Sequence, residues 1–165
     1  NFAGTLVVWV LATLTSCTSL YDPYWSVQPL VNCIYFFKFS SVARDKQHTS
    51  IRMHAAFFLT QMYAIRLTLN FFYTWPGLSK QDWRYDDLKS KCPKILWPLL
   101  NLFGLMVFPT LLVFAASIPY FYIASSQVRF NCFDLLGAVV MFNGIVLAYV
   151  ADEQMHRFSL VKKPG

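Results

Sequence analysis

Long apolar runs recur along this chain, and they constrain its fold more than any other feature. They lie at about 2–20, 24–39, 51–73, 95–123 and 130–149, and most approach or exceed the roughly 18–20 residues that cross a bilayer. Only 13% of the 165 residues are charged, against about 25% in soluble domains. The runs predict an all-α protein, a polytopic transmembrane helix bundle with five spans, in which 1–165 form a single membrane domain.

The formal net charge of +6 does not indicate a nucleic-acid partner. The basic residues lie in short loops at the ends of apolar runs, where Lys and Arg set topology and contact lipid headgroups. The basic residues do not form the stripe on one face of a soluble fold that is typical of nucleic-acid-binding proteins. The predicted partner is the lipid bilayer, and the excess of Lys and Arg in 74–94 and the C-terminal tail predicts that this side faces the cytoplasm or matrix.

Sequence motifs exclude several kinds of site. The cysteines form no CxxC pair and have no His at ligand spacing, so we predict no metal. The chain has no GxGxxG, Walker or GxSxG motif. A nucleotide site would therefore be built from helix ends and loops rather than on a Rossmann sheet.

A polar residue, Asp22, lies in "SLYDPYWS" between the first two spans. We predict that this stretch breaks the helix at "YDP", because Pro23 disfavours helix at the preceding residue. Two interpretations stay open. Asp22 caps the next helix by accepting from its first amides, or it is an acid that lines a pocket where the helix is interrupted.

The third span carries a polar stripe in "QMYAIRLTLN". Tyr63, Arg66 and Asn70 follow at i, i+3 and i+7, which is one face of a helix. Arg66 either extends to the membrane interface or forms an anion-binding group beside a proton donor. The stripe alone does not decide between these interpretations.

Two further segments concentrate charge. The stretch "WPGLSKQDWRYDDLKSK" at 75–91 is either a solvated loop or a segment that holds a polar ligand against the helices. The fifth span ends in "ADEQMHRF", which includes Asp152. We expect the helix to continue into this stretch as a hydrated end, where His156 and Arg157 suit the helix dipole.

The stretches "YDPYWSVQP", "WPGLSKQDWRYDDLK", "NLFGLMVFPTLLVF" and "ADEQ" occur here in the order found in a widespread membrane family. From about residue 20 to 158 the chain resembles this family, which belongs to the steroid 5-alpha-reductase superfamily. The resemblance implies an all-helical bundle of about seven spans that binds NADPH at loops and helix ends. It implies reduction of a carbon–carbon double bond conjugated to a carbonyl, in a steroid or other lipid enone.

The resemblance also implies roles for individual residues. Tyr63, three residues before Arg66, matches the Tyr that donates to the substrate carbonyl, and Asp22 is the candidate for the catalytic acid beside it. The residues expected at the cofactor are Arg66, Asn70, Trp83, Arg84, Tyr85 and Asp152. In this interpretation the 75–91 stretch is a cofactor lid, in which Arg84 pairs with a phosphate.

Departures from the family pattern keep a second function open. Ala148 and Gln81 stand where the family usually has acids, and the family continues beyond this tail into a "Ser-Arg-His-Pro-Asn-Tyr"-like motif and two more spans. The chain would then carry half of a site. The alternative to the reductase is a catalytically degenerate structural subunit of a larger membrane complex. We expect the endoplasmic reticulum membrane, with the mitochondrial inner membrane as the alternative.

Overall fold

The structure is a computed structural model that describes residues 1–39, 51–79, 81–126 and 128–161. Within these ranges the chain is helical and has no strand, which confirms the all-α prediction. The expected 40–50 loop and the residues after 161 lie outside the described residues. The helices are α1 (Phe2–Thr15), α2 (Tyr21–Phe39), α3 (Ile51–Thr74), α4 (Trp83–Lys91), α5 (Trp97–Ser125) and α6 (Cys132–Val161).

Among the described residues, α5 and α6 are long and apolar enough to cross a membrane. They contain 29 and 30 residues, with mean hydropathies of 2.2 and 1.9 in their most apolar windows. Only 17% and 6% of those windows are buried within the chain. Most of their apolar side chains therefore face outward, as side chains in contact with lipid do.

The predicted break at "YDP" is wrong in its position. The first helix ends at Thr15, and Ser16 adopts a left-handed conformation with φ 55°. A short 3₁₀ turn, Thr18–Leu20, then leads into α2, so Asp22 and Pro23 lie in its first turn. Proline is tolerated there because the first amides of a helix have no carbonyl partner within it.

Helix α5 continues through Pro109 and Pro119, as the fourth apolar run predicted. Its segment Leu100–Val107 is a π-helix that ends just before Pro109. Because Pro109 cannot donate to the carbonyl four residues earlier, the wider π turns before it accommodate the missing bond. The helix then continues in α form over Phe108–Ala116 and Ile118–Ser125.

The charged 75–91 stretch, which was predicted only as a loop, contains the short helix α4. Asp82 is its N-cap, and its side chain accepts from the Arg84 amide at 2.9 Å. Asp86 lies in the first turn, and Lys89 and Lys91 lie in the last turn. This order of acids and bases complements the helix dipole.

Contacts between helices fix their relative directions. Helices α3 and α6 run parallel, since Arg52 binds Asp134 near their first turns and Arg66 binds Asp152 further along both. Helix α2 also runs parallel to α5, since Tyr21 binds Thr110 and Asn32 binds Ser117. Helix α1 is antiparallel to α2, through Asn1–Asn32 and Thr5–Tyr24. One end of the bundle, called the α4 end below, thus holds the C-termini of α1, α3 and α6 and the N-termini of α2 and α5.

A hydrogen-bonded cluster joins α1, α2 and α5 in the interior. The Tyr21 hydroxyl donates to the Met106 carbonyl at 2.9 Å and lies 2.9 Å from Thr110 Oγ1. Thr110 Oγ1 also lies 3.0 Å from Thr5 Oγ1. Buried hydroxyls require partners of this kind, because an unpaired polar group away from water is costly. The cluster therefore fixes the position of α2 against its neighbours.

We expect Tyr21→Phe to lower the free energy of unfolding by about 1 kcal/mol, because it removes one buried hydroxyl and its bonds. In a chain of this size the unfolding midpoint would fall by about 2–4 °C, measured by thermal unfolding in detergent. Tyr35→Phe on the same helix is the control, since Tyr35 is exposed. Equal midpoints for Tyr21→Phe and wild type would contradict the assignment.

Candidate functional site

Hydrogen bonds fasten residues 81–91, called the α4 segment below, to the junction between α1 and α2. The backbone N–H of Thr18 donates to Gln81 Oε1 at 3.0 Å, and the backbone N–H of Asp82 donates to Ser19 Oγ at 3.0 Å. The Thr18 N–H is available because α1 has ended, whereas a continuous helix would pair it with a carbonyl four residues earlier. The break after α1 thus creates the docking surface for the segment.

A third contact joins α4 to the first turn of α2. The Tyr85 hydroxyl donates to Asp22 Oδ1 at 2.8 Å. Asp22 lies inside the helix rather than at its N-cap, and it precedes the predicted span 24–39, so it lies outside the membrane-spanning segments. Burial raises the pKa of Asp22, although hydrogen bonds from Tyr85 and Trp25 oppose the shift. Burial also raises the pKa of Tyr85, and the adjacent carboxylate adds to the shift.

A cavity of about 330 Å³ lies between this docked segment and helices α2 and α3. It is called the first cavity below. Its volume is in the lower part of the roughly 300–1,000 Å³ found for small-molecule sites. Its polar lining residues are Ser19, Asp22, Trp25, Asn70, Thr74, Trp75, Gln81, Asp82 and Arg84.

The guanidinium of Arg84 is held by the Asp82 carboxylate at the edge of the first cavity. Arg84 Nε and Nη2 donate to the two carboxylate oxygens at 2.9 and 2.7 Å. This pairing holds the pKa of Asp82 below its usual range and raises the pKa of Arg84. The Arg84 side chain is 69% exposed, and exposed ion pairs contribute little net stability. A phosphate could therefore replace Asp82 at small cost.

A second cavity, of about 440 Å³, lies where α3 and α6 meet at the α4 end. Arg66 of α3 donates to Asp152 of α6 at 2.5 Å, and their side chains are 14% and 37% exposed. The Tyr73 ring packs against His156 further along the same pair of helices, with centroids 5.0 Å apart. The polar and aromatic residues that line this cavity are Arg66, Asn70, Tyr73, Tyr149, Asp152, Glu153 and His156.

Asn70 lines both cavities, so they adjoin on either side of α3. Among the described residues, Arg66 Nε and Trp75 Nε1 are buried donors with no hydrogen-bond partner. Each belongs to a residue that lines one of the two cavities. Buried donors are normally paired, and Trp9 Nε1 and Gln28 Nε2 also lack partners elsewhere in the bundle. Arg66 and Trp75 differ from these in lying beside the two cavities, where they could donate to the acceptor oxygens of a ligand.

Three predicted site residues line neither cavity, and one of them, Tyr85, reaches the first cavity only through its bond to Asp22. Tyr63 is on the stripe of Arg66 but lines neither cavity, and it forms no hydrogen bond with other described residues. A 2.8 Å contact places Ser26 of α2 beside Thr68 of α3. From this level, Asp22 lies toward the α4 end and Tyr63 lies away from it, so the two residues are more than one helical turn apart along the bundle. Trp83 is 73% exposed on the outer side of α4.

Other site residues were not identified from the sequence. Trp75 follows the end of α3 directly, and Tyr73, Tyr149 and Glu153 line the second cavity. Spacing offered one signal, because Tyr149, Asp152 and His156 lie at i, i+3 and i+7 on α6. Without a partner helix this stripe resembled an ordinary hydrated helix end.

The two cavities present both donors and acceptors. Arg66, Arg84 and Trp75 offer donors to phosphate or carbonyl oxygens, while Asp152 and Glu153 offer acceptors to hydroxyl groups. Among the described residues, no three His, Cys, Asp or Glu side chains lie close enough together to hold a metal ion. The arrangement suits an elongated ligand that carries both anionic and hydroxyl groups.

The buried Asp22 carboxyl predicts a dependence of stability on pH. Because the folded protein binds this proton more tightly than the unfolded chain, the free energy of unfolding falls as pH rises from below the unfolded pKa of about 4 through the folded pKa. Asp22→Asn removes this term, and its amide oxygen still accepts from Tyr85. As the pH rises from 4 to 7, we expect the unfolding midpoint of the variant to increase relative to that of wild type.

The control for this measurement is Asp87→Asn, since Asp87 is exposed and binds Lys91 within α4. Its difference from wild type should not follow the same trend. A constant difference between Asp22→Asn and wild type across the pH range would contradict the raised pKa.

Comparisons with known proteins place the chain in a family. A Schizosaccharomyces pombe protein described as "Uncharacterized protein C594.04c" is 24% identical over 152 residues, which cover 90% of this chain and 43% of the relative. The chain thus spans less than half of that relative's length. No solved structure matches the chain significantly. A family profile matches residues 8–164, and the chain therefore belongs to the family described as "Protein of unknown function (DUF1295)".

Proposed function

We propose that this chain is part of a membrane-embedded, NADPH-dependent reductase of a conjugated carbon–carbon double bond, with a steroid or other lipid enone as substrate. The observation that carries the proposal is the pair of adjoining cavities at the α4 end, which share Asn70 and contain two buried donors without partners. The resemblance described above supports the same conclusion. Together they favour a dinucleotide over a compact ligand.

The residues of the two cavities fit NADPH by their chemistry. Arg84 would release Asp82 and bind a phosphate in its place. The unpaired N–H groups of Arg66 and Trp75 would donate to other acceptor oxygens. Asp152 and Glu153 would accept from ribose hydroxyls. Acids outnumber arginines in both linings, so the phosphates are expected near the exposed Arg84 rather than deep in either cavity.

NADPH, when bound, supplies the hydride for reduction of the double bond. The protein would orient the substrate carbonyl through the Tyr63 hydroxyl, which donates no hydrogen bond to another described residue. Arg66, one turn away on the same stripe, lies between Tyr63 and the second cavity. In this proposal Asp22 acts by holding Tyr85 and so the α4 segment, and its assignment as a catalytic acid stays a prediction.

The proposal includes five membrane spans, with the α4 end toward the cytoplasm. They are the apolar runs at about 2–20, 24–39, 51–73, 95–123 and 130–149, which belong to α1, α2, α3, α5 and α6. Two of these helices meet the length and composition of a span by themselves. The alternating helix directions agree with five successive crossings, because α3 and α6 run parallel and α5 runs against both. The endoplasmic reticulum membrane is the proposed location, with the mitochondrial inner membrane as the alternative.

We expect Tyr63→Phe to lower turnover of a steroid enone about 10²–10⁴-fold, because it removes a positioned proton donor. The affinity for NADPH should stay within about twofold, since Tyr63 lines neither polar cavity. Tyr122→Phe is the control, as Tyr122 is exposed on α5. Turnover equal to wild type in Tyr63→Phe would exclude Tyr63 as the donor.

A second prediction concerns the exchange at Arg84. Asp82→Asn preserves the α4 N-cap, because Asn caps as well as Asp, but it weakens the hold on Arg84 and should tighten NADPH binding several-fold. Arg84→Gln should weaken binding about tenfold or more, the effect of losing one charge-assisted hydrogen bond. Titration of the purified full-length protein measures both.

Lys91→Gln is the matched control, since it also removes one positive charge from α4, where Lys91 binds Asp87. Its effect on the dissociation constant should be small and should disappear at high salt. Weaker binding in Asp82→Asn would show that Asp82 itself contacts the ligand, and would contradict the exchange.

A structural subunit is the second candidate function, and one observation favours it. The apolar window of α6 is only 6% buried within the chain, so other membrane subunits could cover it. In that case the protein would be extracted in mild detergent as part of a larger complex and would not bind NADPH. Extraction as a stable monomer that binds NADPH would exclude this alternative.

A further inference from the structure

The contact between α3 and α6 has openings at both of its ends. The second cavity lies at the α4 end. Near the first turns of the same helices lies a cleft of about 360 Å³, which α5 closes on its third side. It is called the lateral cleft below. Two of its three walls are the helices that are long and apolar enough to cross a membrane.

Small residues leave the lateral cleft open. Ala55 and Ala56 of α3 face Gly137 and Ala138 of α6 across it. A Cβ atom added to Gly137 would meet nothing within 4 Å, so the space beside this residue is empty. Phe133, which is largely exposed, lies at the mouth. The cleft therefore opens sideways, toward the region that lipid would occupy.

The outer end of the lateral cleft is polar but electrically neutral. Arg52 Nη2 donates to Asp134 Oδ2 at 2.6 Å, and Arg52 Nη1 donates to Ser126 Oγ at 2.9 Å. Both charged side chains are only 16% exposed. Because the guanidinium is matched by a carboxylate, an anionic headgroup would meet Asp134 as well as Arg52. The pair favours an uncharged hydroxyl or carbonyl group.

The inner end of the lateral cleft lies about one helical turn from Tyr63, which does not itself line the cleft. Tyr120 lines the cleft, and its hydroxyl lies 2.7 Å from Thr60 Oγ1. Leu59, the deepest α3 residue of the cleft, is followed on the same helix face by Tyr63 and Arg66 at i+4 and i+7. Tyr63 thus lies between the apolar cleft and the second cavity. The helix from Arg52 to Tyr63 is about 16 Å long.

We propose that the lateral cleft binds an elongated, uncharged lipid, with one oxygen group at the Arg52–Asp134 pair and the other end at Tyr63. This inference rests on the proposed function in one respect, the identification of that lipid as the substrate. The ligand would enter from the side of the bundle, while NADPH occupies the cavities at the α4 end. Tyr63 is then the residue of the α3 stripe that lies between the two sites.

The test uses the full-length protein in phosphatidylcholine liposomes and a sterol that carries a photoactivatable diazirine. We expect labelling of the α3 and α6 peptides that line the lateral cleft. Gly137→Phe fills the cleft and should lower this labelling about tenfold. Gly144→Phe is the matched control, because Gly144 lies on the same helix with open space beside its Cβ position but outside the cleft. A diazirine-bearing fatty acid, which is anionic, should label the cleft far less than the sterol.

Equal labelling of Gly137→Phe and wild type would overturn the assignment, as would equal loss in Gly137→Phe and Gly144→Phe. Labelling by the fatty acid as strong as by the sterol would overturn the uncharged ligand. NADPH titration of the same samples separates the two proposals. NADPH binding without labelling of the cleft would refute the cleft alone. Labelling without NADPH binding would support the lipid site and refute the reductase and the substrate assignment.

Discussion

The ion pair between Arg66 and Asp152 is the contact on which the candidate site depends. It joins α3 to α6 at the α4 end, and only the guanidinium side is well buried. Burying a charge is costly unless it is paired, and removal of one partner would leave the other as an unpaired buried charge. The pair therefore fixes which faces of the two helices meet. It places Asn70, Tyr73 and Tyr149 around the second cavity.

The α4 segment completes the site from the other side of α3. Its anchors are polar bonds to a junction that exists only because α1 ends at Thr15. The Tyr85–Asp22 bond adds a buried contact, whereas the Arg84–Asp82 pair is exposed and exchangeable. The segment thus combines a fixed attachment with one cation that a ligand can recruit. Both properties are expected of the proposed cofactor lid.

The sequence predicted the helices from apolar length, and the runs at 51–73 and 95–123 match α3 and α5 closely. Helix α6 extends well beyond the run at 130–149, through the "ADEQMHRF" stretch into which it was expected to continue. It misplaced the first break, because Pro23 is a weaker determinant of that break than the left-handed Ser16. It predicted Arg66, Asn70, Arg84 and Asp152 as site residues, and the structure brings them to two adjoining cavities. It did not identify Trp75 or Tyr149, since their role depends on which helices pack together, and local spacing does not contain that information.

The central claim is that the two cavities at the α4 end form one dinucleotide site. Hydrogen–deuterium exchange of the full-length protein in detergent, with and without NADPH, tests it most directly. The account predicts slower exchange on binding in peptides covering 66–79, 81–91 and 149–156, and little change near Arg52 and Asp134. NADPH binding that leaves these peptides unchanged, or that protects only the opposite end of the bundle, would contradict the account.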